Sequence, residues 1–78
     1  MEKQEKRLGL IIPSSNTVME VDCYRNIPAG ISCHTARMHL KETNAEDEGK
    51  MLDIHLPVAI RDMASLYPDL VLFGCTSA

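Results

Sequence analysis

The sequence lacks the long apolar runs and the basic charge that mark membrane-spanning and nucleic-acid-binding proteins. Its apolar runs reach about six residues, far below the roughly 20 that cross a bilayer. The formal net charge is -3, which argues against nucleic acid or an anionic membrane as a partner. The sequence also has no internal repeat and no low-complexity segment. A chain of 78 residues is one domain at most, and its stability is marginal without help.

Cysteine is scarce and does not occur in the spacing of a metal or redox motif. The three cysteines stand at positions 23, 33 and 75, with no Cys-x-x-Cys pair and no signal-peptide pattern before them. We therefore expect a reducing, cytoplasmic location. Cys33 and His34 are adjacent, but no other ligand cluster has a suitable spacing, so we expect no metal. Cys23 and Cys33 are interpreted as structural residues.

Apolar strand patterns alternate with helical patterns along the chain. This alternation predicts an α/β fold with parallel strands. The second strand shows period-2 alternation, which is typical of a half-buried strand at an edge of the sheet. The predicted elements are a strand at 7–12, a helix at 17–26, a strand at 31–39, a helix at 44–66 and a strand at 69–74.

Start signals and a proline mark the two predicted helices. Thr17 with Glu20, and Thr43 with Glu46, have the spacing of capping boxes. Pro57 lies inside the second helical pattern, and proline removes a helical hydrogen bond, so we expect a kink or break just before it. The predicted apolar face of the second helix consists of residues three or four apart: Leu52, Leu56, Ala59, Met63 and Leu66.

The predicted elements fit a short three-stranded sheet between two helical layers. The first strand is the most apolar and the second the most amphipathic, so the simplest strand order is 2-1-3. Because crossovers are right-handed in about 98% of cases, the two helices should lie on opposite faces. Strand 2 is added on one side of strand 1 and strand 3 on the other, so the direction in which strands are added reverses at strand 1. Ligands bind at such a switch point, above the carboxyl ends of the strands.

Polar residues follow the two strands that meet at this switch point. The first loop contains no Lys or Arg, so an anion there would be held by backbone N–H groups and side-chain donors. Each residue also has a plainer interpretation: a turn or cap for the asparagine, loop formation for the serines, and core packing for the cysteine. The candidate site residues are Ser14, Ser15 and Asn16 in the first loop and Cys75, Thr76 and Ser77 in the second.

Two strings carry a resemblance to a known family. Pro13-Ser14-Ser15-Asn16-Thr17-x-x-Glu20 follows the first strand, and Gly74-Cys75-Thr76-Ser77 follows the third. Together they resemble the maleate cis-trans isomerase and arylmalonate decarboxylase branch of the aspartate/glutamate racemase superfamily. The first string is fairly specific for maleate isomerases, whereas the second is shared more broadly. The resemblance covers the chain from about Arg7 to Ala78.

The resemblance implies a cofactor-independent enzyme built from two similar flavodoxin-like α/β halves, with a catalytic cysteine in each. It makes Cys75 the catalytic thiol, and Asn16, Thr76 and Ser77 the residues that bind the carboxylates of a small dicarboxylate substrate. The reaction it implies is cis-trans isomerisation of a maleate-like compound. Decarboxylation and amino-acid racemisation within the same superfamily are the alternatives, because the sequence does not choose between them.

The chain departs from the family pattern in its extent. Residues 1–6 form a polar lead-in, and 7–78 match a partial first domain without the fourth strand, the second domain or its cysteine. We therefore expect either a segment of a longer polypeptide or a homo-oligomer, inactive by itself. The interpretation from another functional class is a fragment that binds a carboxylate, or only assembles with another chain.

Overall fold

The fold is a small parallel sheet with one helix on one face and a broken helix on the other. A computed structural model describes residues 5–74. Within this part of the chain, no helix is long and apolar enough to cross a membrane. The elements are β1 (Lys6–Pro13), α1 (Met19–Asn26), β2 (Ile31–Met38), α2 (Ala45–Lys50), a π-helical turn (Met51–His55), α3 (Leu56–Ala64) and β3 (Leu70–Phe73).

The strand order β2-β1-β3 confirms the predicted topology. Both neighbours of β1 run parallel to it. Lys6 is paired with Ile31 at the start of the ladder, so β1 begins within the stretch predicted as a polar lead-in. The central position of β1 explains why its second half is buried while β3 is exposed throughout. The carboxyl ends of all three strands therefore lie at one edge of the sheet.

Each face of the sheet has its own apolar cluster, which confirms that the helices lie on opposite faces. The period-2 alternation of β1 sends Ile11 to one side and Leu10 and Ile12 to the other. The α3-side cluster consists of Ile11, Met38, Leu40, Met51, Ala59 and Met63. The α1-side cluster consists of Leu10, Ile12 and Cys33, with Met19, Cys23 and Ile27 packed against it.

The second predicted helix is interrupted just before Pro57, as the sequence predicts. The break is a π-helical turn, in which Leu56 N–H donates to the carbonyl of Met51, five residues earlier. The wide turn holds one more residue than an α-helical turn. It rotates the preceding segment, so Met51 is fully buried and Leu52 is exposed. The assignment of Leu52 to the apolar face was wrong for this reason.

An asparagine side chain accepts hydrogen bonds from free N–H groups at the start of α1 and of α2, so the two predicted threonine capping boxes were wrong. Asn44 Oδ1 accepts from Asp47 N–H at 2.8 Å, one residue later than the predicted Thr43 cap. Before α1, Asn16 takes the role predicted for Thr17. Asparagine is preferred over threonine at this position because its side chain reaches the free N–H groups with little steric cost.

Two glycines, one in β1 and one directly after β3, allow a helix to approach the sheet closely. A Cβ atom at Gly9 would overlap Met63 Sδ of α3, and a Cβ atom at Gly74 would overlap Met19 of α1. These contacts lie on opposite faces of the sheet. The helices are thus seated on the sheet through methionines that fill the space a side chain would occupy.

Candidate functional site

The loop after β1 is a compact turn organised by Asn16. The Asn16 N–H donates to the carbonyl of Pro13 at 3.0 Å, which closes the turn. Its side-chain Oδ1 accepts from Val18 N–H at 3.0 Å and from Met19 N–H at 2.9 Å. The loop and the amino end of α1 are therefore held together by one side chain.

The two N–H donors also fix the orientation of the Asn16 amide. An amide oxygen must face them, so the Nδ2 group must face away. Among residues 5–74 nothing accepts a hydrogen bond from Asn16 Nδ2, and the side chain is half-buried. Asn16 is thus a helix cap, which agrees with its plainer interpretation, and its Nδ2 group has no acceptor within the described part of the chain.

The two serines of this loop differ in role. Ser14 N–H donates to the carbonyl of Met38 at 2.7 Å, and Ser14 Oγ accepts from Leu40 N–H at 2.9 Å. Ser14 therefore extends the β1–β2 pairing beyond the strands. Ser15 is exposed, and its side chain makes no hydrogen bond within the described part of the chain. Among the described residues, Ser14 thus has a structural hydrogen bond through its hydroxyl and Ser15 has none.

Arg37 of β2 donates hydrogen bonds to the backbone of this loop, and the sequence did not reveal that role. Its Nη1 donates to the carbonyls of Pro13, Ser14 and Asn16 at 3.4, 3.2 and 2.8 Å. The loop itself has no cation, but the neighbouring strand supplies one. A signal existed in the register: Arg37 pairs with Ile12, at the point where β1 runs into the loop.

The second guanidinium nitrogen of Arg37 pairs with Glu20 on α1. Nη2 lies 3.0 Å from Glu20 Oε1. The Thr35 hydroxyl and then the Arg37 guanidinium hold the pKa of the Glu20 carboxyl below its ordinary value. The Thr35 hydroxyl is itself buried and, among residues 5–74, has no hydrogen-bond partner of ordinary geometry. Arg37 thus ties the loop, α1 and β2 into one unit.

The end of β3 lies against the same unit. Gly74 N–H donates to the carbonyl of Ile11 at 2.9 Å, and Gly74 sits directly against the Met19 side chain. Met19 is also the residue whose N–H is capped by Asn16. One residue thus links the first polar loop to the glycine that opens the second. The predicted site residues Cys75, Thr76 and Ser77 lie outside the described residues.

A shallow, largely open apolar pocket lies at the amino ends of the strands. It has a volume of about 310 Å³. Because it opens at the amino ends of the strands, it is separate from the polar loops and holds none of the predicted site residues. Its lining residues are Lys6, Arg7, Leu8, Cys23, Asn26, Ile27, Pro28, Ile31, Asp69 and Leu70.

The described residues offer no obvious metal centre. Within 5–74 there is no group of three or more His, Cys, Asp or Glu side chains arranged to hold an ion. His39 and His55 approach each other edge to face, with ring centroids 5.4 Å apart, but they have no third partner of that kind. Comparison of the chain with protein-family models, with curated proteins and with solved structures gives no match.

Proposed function

We propose that this chain contributes one half of the site of a cofactor-independent isomerase that acts on a small dicarboxylate. The observation that carries the proposal is the contact chain from Asn16 through Met19 to Gly74. It brings the first polar loop next to the residue that immediately precedes Cys75. An amide group that can donate a hydrogen bond to a carboxylate, close in the fold to the residue before a cysteine, suits a small anionic substrate.

The proposed chemistry is reversible addition of the Cys75 thiolate to an activated double bond. The sulfur forms a bond to one alkene carbon, and the electron pair moves toward the adjacent carboxylate as an enediolate-like charge. Rotation then occurs about the carbon–carbon bond that was the double bond. Elimination of the thiolate then restores the double bond in the trans form, so no proton or cofactor is consumed.

The loop donors are suited to binding the substrate carboxylate and to stabilising the developing charge. Asn16 Nδ2 faces away from the helix that Oδ1 caps, and preorganised donors stabilise an anionic intermediate without having to reorient. Arg37 contributes indirectly. It is committed to three loop carbonyls and to Glu20, so its proposed role is to keep the loop in one conformation.

The proposal is tested by the reactivity of the three thiols. Iodoacetamide should alkylate Cys75 at neutral pH faster than Cys23 or Cys33, and excess maleate should slow that alkylation. Mass-spectrometric mapping separates the sites, because each cysteine falls in a different tryptic peptide. Equal labelling of all three cysteines, or labelling of Cys75 that maleate leaves unchanged, would contradict the proposal.

Asn16→Asp gives a variant in which the cap is kept and the donor is lost. Aspartate caps helices as well as asparagine does, so Val18 and Met19 remain bonded, while the amide donor becomes a negatively charged oxygen. Protection of Cys75 by maleate should then disappear. Asn26→Asp, at the other end of α1, is the matched control and should leave the protection intact. Protection without turnover would favour the carboxylate-binding fragment over the enzyme.

A further inference from the structure

Two cysteine thiols from different elements meet within the α1-side cluster. Cys23 of α1 and Cys33 of β2 have their Sγ atoms 2.9 Å apart, and either thiol can be the hydrogen-bond donor. The contact is part of the core, since Cys33 belongs to the cluster and Cys23 packs against it. The sulfurs need to approach by only roughly 0.9 Å to reach a disulfide bond length of about 2.05 Å.

The two thiols differ in their exposure, which sets an order of reaction. Cys33 is 7% exposed, whereas Cys23 is half-buried. Burial, and then the hydrogen bond with Cys23, raise the pKa of the Cys33 thiol to about 12. Thiolate character and access determine which cysteine meets a reagent from solution. Cys23 is therefore the point of entry, and Cys33 is the partner held beside it.

We propose that Cys23 and Cys33 form a reversible intramolecular disulfide when the chain meets a low-molecular-weight disulfide such as glutathione disulfide. This modification site is independent of the proposed isomerase function and does not involve Cys75. Its use suits a reducing compartment, where protein disulfides are usually transient and responsive to redox state.

The reaction proceeds by two thiol–disulfide exchanges. The Cys23 thiolate attacks one sulfur of glutathione disulfide, and the first glutathione leaves as a thiolate that takes up a proton. Cys33 then gives up its proton and attacks the Cys23 sulfur, and the second glutathione leaves. The protein loses two hydrogen atoms and gains one S–S bond, while the glutathione disulfide is reduced to two glutathione thiols.

The bond would join α1 covalently to β2. At present α1 is held to β2 by side-chain contacts that include the hydrogen bond from Tyr24 Oη to the carbonyl of Cys33, 3.1 Å long. A covalent link restricts the motion of α1 relative to β2. Oxidation should therefore stabilise the fold, and reduction should restore the original helix packing.

The experiment exposes the whole chain to glutathione buffers and maps disulfides by mass spectrometry after tryptic digestion without reductant. The expected product links peptide 8–25, which contains Cys23, to peptide 26–37, which contains Cys33. The intact mass should fall by about 2 Da, and dithiothreitol should reverse the change. Linkage of either peptide to 62–78, which contains Cys75, or persistent glutathione adducts instead of a linkage, would overturn the proposal.

Two controls test whether the fold directs the pairing. We compare the reduced-to-oxidised glutathione ratio at which half of the chain carries the disulfide. This ratio should be at least about tenfold higher for the native chain than for the chain unfolded in guanidinium. The double variant Asp22→Cys/Cys23→Ser moves the thiol to an exposed neighbouring position and should give no linkage, whereas Cys75→Ser should give full linkage. Equal stability of the disulfide in native and unfolded chains, or equal linkage in the double variant, would also overturn the proposal.

Discussion

At the scale of single residues, glycine and methionine determine how closely each helix lies on the sheet. Gly9 faces Met63 on the α3 side, and Gly74 faces Met19 on the α1 side. In the sequence, Gly74 stands out only as part of the Gly74-Cys75-Thr76-Ser77 string that carries the family resemblance. Its contact with Met19 shows that it also has a packing role, because a larger residue there would displace α1.

Gly9→Ala should destabilise the chain by about 1–3 kcal/mol, because the added methyl group displaces Met63 from a packed core. The matched control is Gly49→Ala in α2, where a Cβ atom meets nothing within 4 Å. That change should stabilise the chain by about 0.5–1 kcal/mol through helix propensity. Urea unfolding followed by circular dichroism measures both. A Gly9→Ala variant as stable as the unmutated chain would contradict the assigned contact.

The Thr35 hydroxyl and then Arg37 lower the pKa of Glu20, and this should make stability depend on pH in the acid range. The pKa of Glu20 is lowered in the folded state, so the folded chain holds the carboxylate more strongly than the unfolded chain does. The stabilising contribution is fully present above the ordinary pKa of 4.5. It is lost as the pH falls through the lower folded-state pKa.

Glu20→Gln should therefore lower the free energy of unfolding at neutral pH. It should also reduce the loss of that free energy when the pH falls from above 4.5 to below it. Denaturant unfolding at a series of pH values measures the difference from the unmutated chain. Glu42→Gln, at an exposed position, is the control and should leave that acid dependence in place. A difference between the unmutated chain and Glu20→Gln that grows on acidification would show that the sign is wrong.

At the scale of elements, the alternation of strand and helix and the order 2-1-3 were predictable from the sequence. The reason is that buried strands, amphipathic helices and crossover handedness leave strong patterns in the chain. Caps were predicted one residue away from their true positions. At both helix starts an asparagine lies next to the threonine, and local spacing alone does not decide which of the two caps the helix.

The π-helical turn was predictable only as a break near Pro57. The width of the turn decides that Met51 rather than Leu52 is buried, and Met51 packs in a cluster with residues of β1 and β2 that are distant in the sequence. Arg37 was missed for a related reason. Its bonds depend on the register between β1 and β2, which brings together residues distant in the sequence.

The π-helical turn leads to a prediction about neighbouring residues. Met51→Ala should cost about 2–5 kcal/mol of stability, because it empties a fully buried position. Leu52→Ala should change stability by less than about 0.5 kcal/mol, as expected for an exposed position away from such features. Urea unfolding of the two variants measures the contrast. The reverse order of the two costs would indicate a continuous α-helix through residues 51–55.

At the scale of the whole molecule, β3 differs from the rest of the sheet. All four of its residues are exposed apolar side chains, from 42% exposed at Val71 to 58% at Leu70. Within the described residues, its outer edge has no partner strand. Although β3 is short, an exposed apolar edge of this kind can pair with another chain. This surface is the strongest feature of the molecule in favour of association.

The 78-residue chain should therefore associate in a concentration-dependent way along β3. Sedimentation of the purified chain should give an average mass that rises with concentration. Leu72→Lys places a charge on the edge strand and should suppress this rise. Ile54→Lys, at an exposed apolar position outside the sheet, is the matched control and should not. A monodisperse monomer at every concentration would contradict the prediction.

The parallel arrangement of β1 beside β3 also determines how the molecule should respond to mechanical force. Residue 6 lies at the amino end of β1 and residue 73 at the carboxyl end of β3, so they are at opposite ends of the parallel strands. Residues 13 and 73 both lie at carboxyl ends, on the same side of the sheet. Tension between 6 and 73 acts along the strands and loads all the β1–β3 hydrogen bonds together. Tension between 13 and 73 opens those bonds one after another. We expect the same two strands to be strong under the first pull and weak under the second.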